Sequence, residues 1–313
     1  MSSRNGFLGI LLSLAMTGVT LGQDVADLTL PSMEVADQPP ETDSDPLFGL
    51  LVPTDTNFND FISPMSNPVF FEDPRNVTEA RMIFFNHHFP ESLGGQDMQV
   101  YQLQLRAAVT ENLSLIMNKA GFVVSQNPLV DDGFSDLSLG FKYNLFKDPE
   151  SQTLFSTGLT YAIPVGSSQT LQGRCDGEFN AFGTFGTEFF PNCRYVTTTG
   201  ARLPSNTQTG NQIWYWSNHA DVRLGRIGVY LFTECNWYHY LSGANSFPAK
   251  IGGMDFFNLG STGVGGQNTV TGAGGFKIKP AENMELGIAY EFPYTDRIDL
   301  QQNRLYVDFI IRY

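Results

Sequence analysis

Residues 134–146 read FSDLSLGFKYNLF. Leu137, Leu139, Phe141, Tyr143 and Leu145 alternate with Ser138, Gly140, Lys142 and Asn144. Successive side chains of a strand point to opposite faces, so this stretch is a strand with one greasy and one polar face. In a soluble sandwich the greasy face turns inward. In a sheet that closes on itself within lipid it turns outward.

The same pattern recurs along the chain. In residues 100–110, Tyr101, Leu103, Leu105, Ala107 and Val109 oppose Gln102, Gln104, Arg106 and Ala108. In residues 283–292, Met284, Leu286, Ile288, Tyr290 and Phe292 oppose Glu285, Gly287, Ala289 and Glu291. The last strand sets Leu305, Val307, Phe309, Ile311 and Tyr313 against Arg304, Tyr306, Asp308, Ile310 and Arg312. An aromatic residue closing such a strand is similar to the signal read by the bacterial barrel-assembly machinery, which makes that machinery an expected partner through Tyr313.

Turn residues place strands near 76–89, 96–110, 112–124, 134–146, 152–165, 178–190, 193–200, 211–224, 226–241, 267–279, 282–294 and 303–313. The connections between them alternate long and short. Short turns fall at Glu111, at 147–151, at 191–192, at Gly225 and at 280–281, and the longest loop is the Gly- and Ser-rich stretch 242–266. Outer-membrane barrels have short periplasmic turns and long outer loops. The expectation is an all-β, closed, antiparallel up-and-down transmembrane barrel of twelve strands over residues 76–313, monomeric, with both ends periplasmic. The sixth and seventh strands alternate poorly. A disulfide between Cys175 and Cys193 would turn 166–210 into one outer loop and leave ten strands.

The N-terminus is consistent with export. Arg4 precedes an apolar run from Phe7 to Val19 and the small-residue site Thr20-Leu21-Gly22, so residues 1–22 read as a signal peptide. Nothing after it has the roughly 20 apolar residues a membrane-spanning helix needs. Residues 23–75 hold eleven acidic residues and one basic one, with many prolines, and read as an extended acidic arm. Its second half is too apolar for a free tail, with Leu47, Phe48, Phe58, Phe61, Ile62, Val69, Phe70 and Phe71. It is expected to plug the barrel or pack at the periplasmic mouth, the plainer alternative being that it docks on a partner or forms a short helix near 58–62. The net charge of −14 argues against nucleic acid or anionic lipid as partners.

Four strings, DFISPMSNPVFFEDPRNVTEAR at 60–81, LGFKYNLF at 139–146, TTTGARLP at 197–204 and QNRLYVDFIIRY at 302–313, resemble a group of outer-membrane barrel proteins of planctomycete-like bacteria. That group is loosely related to the family described as outer-membrane proteins of the phenol-degradation meta pathway. The resemblance implies a barrel embedded in outer-membrane lipid and passage of hydrophobic or aromatic compounds. It implies no catalytic residue and no cofactor.

Function in a barrel lies in its lumen and loops. With Trp214 and Trp216 facing lipid as part of an aromatic belt, Ser217, His219, Asp221 and Arg223 face inward. Arg106, Lys142, Glu234, Lys277, Glu285, Glu291, Arg304, Asp308 and Arg312 join them in a lining of mixed sign. Two readings follow: charged rings that tune the passage of a small solute by passive diffusion, or a salt-bridged filling of a structural barrel that acts through its outer loops. Ser217, His219 and Asp221 suggest a hydrolase, yet residues two apart on a strand sit about 7 Å apart, too far for a direct nucleophile-to-base bond. His87 and His88 point to opposite faces and so do not chelate one metal. The glycines near 263–275 lack the Lys-Ser or Lys-Thr of a nucleotide loop.

Overall fold

The computed structural model describes residues 51–225 and 228–313. The expected signal peptide and the first half of the acidic arm lie outside the described residues. Alternation and turn chemistry produce one antiparallel sheet. Its strands are β1 (Glu79–His88), β2 (Asp97–Ala108), β3 (Leu113–Lys119), β4 (Gly121–Ser125), β5 (Gly133–Phe134), β6 (Leu137–Asp148), β7 (Thr153–Ile163), β8 (Glu178–Phe190), β9 (Cys193–Pro204), β10 (Gln212–Leu224), β11 (Val229–Ser242), β12 (Asn268–Ala281), β13 (Met284–Pro293) and β14 (Asn303–Arg312). β1 pairs with β2 on one side and with β14 on the other, from Glu79 opposite Arg312 to His88 opposite Asn303. The sheet therefore closes.

Two staves are broken. β3 and β4 both pair with β2, and β5 runs into β6 after two residues, so the fourteen segments make twelve staves. The first break falls at Ala120-Gly121, where a Cβ on Gly121 would stand 2.4 Å from the Tyr101 carbonyl oxygen, a distance only glycine tolerates. β8 and β9 form in full despite their weak alternation, joined by twelve residue pairs. Cys175 lies in the loop before β8 and Cys193 opens β9 at the opposite end. All three cysteines are free, and the ten-strand alternative falls.

The faces are inverted relative to a soluble protein. Outside, Phe141 is 47 % exposed, Leu145 59 % and Trp216 47 %, while inward Lys142, Glu285 and Arg304 are fully buried. A belt of exposed large apolar residues around a closed barrel is a lipid-facing surface. Unbroken staves run 10 to 14 residues, enough to cross about 30 Å of hydrocarbon when tilted. The indole N–H groups of Trp214 and Trp216 donate to Thr199 and Thr197 at 2.9 and 2.8 Å, so each ring faces lipid with its polar atom satisfied. Among the described residues no helix is long and apolar enough to cross a membrane.

Candidate functional site

The lumen is occupied from both ends. Every residue from Phe61 to Glu79 is buried, in a segment that follows the 3-10 helix Thr56–Phe58 and has a turn in which the N–H groups of Phe70 and Phe71 donate to the Asn67 carbonyl at 3.1 and 2.8 Å. Pro64, Pro68 and Pro74 deny it a hydrogen-bond ladder, so its backbone groups take their partners from the barrel wall. Wall side chains donate to its carbonyls: Arg81 to Pro64 at 2.7 Å, Gln104 to Pro68 at 2.6 Å, Asn118 to Val69 at 2.7 Å and Ser156 to Pro74 at 2.5 Å. Its N–H groups are met by wall carboxylates, Ser63 by Glu285 at 3.1 Å and Met65 and Ser66 by Glu234 at 2.8 and 2.6 Å. These partners stand on staves from β1 round to β13, which places the segment inside the barrel. It enters from the end with the short turns, where Val52 and Thr54 bond the last residues of β2 and the carbonyl of Tyr313.

The inward residues singled out from the sequence fall into clusters. Arg106 grips Glu72 of the segment through Nε and Nη2, both at 2.7 Å, and Lys142 reaches the same carboxylate at 3.0 Å. Nearer the turn end, Glu285 lies between Arg312 at 2.7 Å and Lys277 at 3.2 Å, and Lys277 also meets Asp308 at 2.8 Å. Glu291 accepts from Thr271 at 2.5 Å and Tyr306 at 2.6 Å. Arg223 is only half-buried at the turn-end rim, paired with the exposed Asp60 of the incoming segment.

His219 corrects a sequence-based distance argument. Its Nε2 lies 3.2 Å from Asp221 Oδ2, although the two residues are next-but-one on β10, and its Nδ1 lies 2.7 Å from Glu234. Backbone separation of about 7 Å does not limit side chains that lean along the strand. The hydrolase constellation still does not assemble. Both imidazole nitrogens are engaged by carboxylates, and the Ser217 hydroxyl instead accepts from Asn67 of the segment at 2.7 Å. Among the described residues no group of His, Cys, Asp or Glu is arranged to hold a metal ion.

Other lining charges were not singled out from the sequence. Glu79 and Arg81 of β1 obey the same alternation and were legible by parity. So was Arg194, which holds Asp221 at 2.6 Å. Glu72, Asp73 and Arg75 lie in a stretch without period, and nothing local announces that Arg75 pairs with Asp73 at 2.6 Å inside a barrel.

From the other end, the loop between β11 and β12 folds inward. Met254, Asp255, Phe256, Phe257 and Leu259 are buried against Phe85, Tyr238 and Tyr306. Where loop and segment meet, the space bounded by Phe70, Lys119, Arg202 and Asp255 is a cavity of about 20 Å³. That holds about one water molecule.

No family model matches the chain, and no curated protein matches it by sequence. Solved structures do. An outer membrane channel from Pseudomonas putida F1 superimposes with a TM-score of 0.52 at 10% identity, over 81% of this chain and 100% of that one. The fold is that of an outer-membrane β-barrel. A NanC porin is similar with a TM-score of 0.49 at 9% identity, covering 75% of this chain and 99% of its own. The CymD monoaromatic hydrocarbon channel follows at 0.40 and 10%, over 75% and 88%.

Proposed function

We propose that this outer-membrane barrel is a passive channel for small solutes, held shut by residues 58–76 acting as a plug that enters from the periplasmic, short-turn end. The observation that carries the reading is the polar seam between segment and wall. Among the described residues, buried Arg81 Nε, Asn236 Oδ1 and the side-chain oxygens of Asn67 and Asn118 have no hydrogen-bond partner in the protein. Buried polar atoms of this kind call for water. The segment also packs Ile62, Met65, Val69 and Phe70 into the apolar cluster of the wall, so unseating exposes apolar surface while water replaces each polar partner that is lost.

Gly287 supports the same reading. A Cβ there would lie 2.6 Å from Met65 Sδ and 2.7 Å from Asp308 Oδ1 and Lys277 Cγ, so the glycine makes room for the segment and for the wall's own ion pair alike. The resemblance in sequence adds hydrophobic or aromatic compounds as the solute class. The alternative is a non-conducting barrel that acts through its outer loops. Deletion of residues 23–70, read by single-channel conductance and by liposome swelling with sugars and aromatic acids, separates the two. The plug reading requires larger conductance and faster swelling; conductance equal to that of the intact chain refutes it.

A further inference from the structure

The inward-folded loop carries residues 253–259, GMDFFNL, and presents one carboxylate, two carbonyls and two aromatic rings to the wall at its long-loop end. Asp255 Oδ1 accepts from Arg304 Nη1 at 2.6 Å, and the Phe256 carbonyl accepts from Lys119 at 2.9 Å. The Asp255 carbonyl accepts from Arg202 at 3.3 Å. The Phe256 ring packs edge-on against Phe85, centroids 5.4 Å apart, and the Arg304 guanidinium lies over the Phe85 ring at 5.3 Å.

The three cations differ in how the wall provides for them. Arg202 has Glu178 at 3.3 Å and Lys119 has Asp136 at 4.0 Å. Arg304 has His87 at 2.6 Å and the Tyr306 hydroxyl at 3.3 Å, but among the described residues its one carboxylate partner is Asp255, which belongs to the loop. A buried guanidinium whose counter-ion arrives on a loop loses that partner when the loop leaves. The fit is also incomplete. Arg304 Nη2 and Asp255 Oδ2 both lack a hydrogen-bond partner, so a fork made for two parallel bonds receives one.

We propose that Arg304, with the Phe85 platform and with Lys119 and Arg202 beside it, is a binding site for an organic anion that carries a carboxylate on a flat apolar body. Asp255 and Phe256 occupy this site as an internal stand-in. A free carboxylate turns to make both bonds to the fork and lays its body on Phe85, and the loop is displaced. This assignment rests on the channel reading above and names the solute class of that lumen.

The test uses the full chain in detergent, with benzoate and benzyl alcohol as probes in titration calorimetry. An internal competitor weakens apparent affinity by the fraction of molecules in which the site is vacated. Asp255→Ala combined with Phe256→Ala is therefore expected to tighten benzoate about tenfold or more and to leave benzyl alcohol unchanged. Adding Arg304→Gln to that pair returns benzoate to the intact chain's level, and Arg304→Lys, which keeps the charge and loses the fork, falls between. Heat-modifiable migration on gels reports folding of each variant. The site is refuted if benzoate does not tighten in the double variant, if benzyl alcohol gains equally, or if a folded Arg304→Gln variant keeps the gain. Conductance of the chain lacking residues 23–70, measured in parallel, separates the readings: a conducting pore with no benzoate binding removes the site and leaves the channel, and binding without conductance does the reverse.

Discussion

Replacing Glu72 by alanine tests the plug most directly. Its carboxylate accepts two parallel bonds from Arg106 and a third from Lys142, and both cations come from the wall. Arg106 keeps Glu79 at 2.7 Å when Glu72 is gone, and Lys142 keeps only the Asp73 carbonyl at 2.5 Å. Breaking a buried pair costs about 3 to 5 kcal/mol, and the retained Glu79 puts this case near the lower limit, about 3 kcal/mol. The penalty applies while the segment is seated and is relieved when water enters. The equilibrium for unseating thus shifts by about two powers of ten, at about 1.4 kcal/mol per decade. Open probability in planar bilayers is expected to rise by that factor, with a smaller rise for Glu72→Gln, whose amide oxygen still accepts a bond. A Glu72→Ala barrel that stays folded on gels, melts at lower temperature and conducts no more than the intact chain would refute the argument: the segment would then be core.

Three further outcomes follow from the same geometry. Phe141→Arg places a charge in the middle of the lipid-facing side of β6, and urea titration in lipid vesicles is expected to show about 2 to 4 kcal/mol of lost stability; a change below half a unit would mean that this face does not meet lipid. Gly287→Met crowds Met65 together with Asp308 and Lys277 of the wall, so in a barrel that still folds on gels conductance should rise above that of the intact chain, and an unaltered trace would place the segment elsewhere. Burial, with the Glu178 carboxylate nearby, pushes the Cys175 thiol in the loop before β8 up to about 12, and its S–H donates to the Thr209 carbonyl at 3.4 Å. A higher thiol pKa means less thiolate at neutral pH. In a chain with Cys193 and Cys235 replaced by serine, maleimide at pH 7.5 is expected to label Cys175 at least about a hundredfold more slowly than in the urea-unfolded chain, and equal rates would show that this loop is open.

Strand positions were legible because a pleated strand spends alternate residues on opposite faces, and lipid outside with charge inside writes that alternation strongly. Leu305, Val307, Phe309 and Ile311 against Arg304, Asp308 and Arg312 needed no partner strand to be read. β8 and β9 were harder. FNAFGTFGTEFF carries glycine and alanine where others carry Leu or Tyr, so the period fades although the ladder between the two strands is complete. The breaks at Ala120 and at Ser135-Asp136 left no clear mark, since a bulge changes register and not composition.

The sequence by itself determined a closed barrel wall, its orientation toward lipid and the polarity of its lining, because these follow from a two-residue period and from turn spacing; the choice of twelve staves over ten came from the paired β8 and β9 and the free cysteines. Only the tertiary structure decided what fills that wall. Glu72 meets Arg106 across 34 residues, Glu234 meets Ser66 across 168, and Arg304 meets Asp255 on a loop from the opposite end. Residues 58–76 and 253–259 have no repeating pattern. Their partners are set by side chains distant in sequence that converge only when the sheet closes, and a local period carries no record of such meetings.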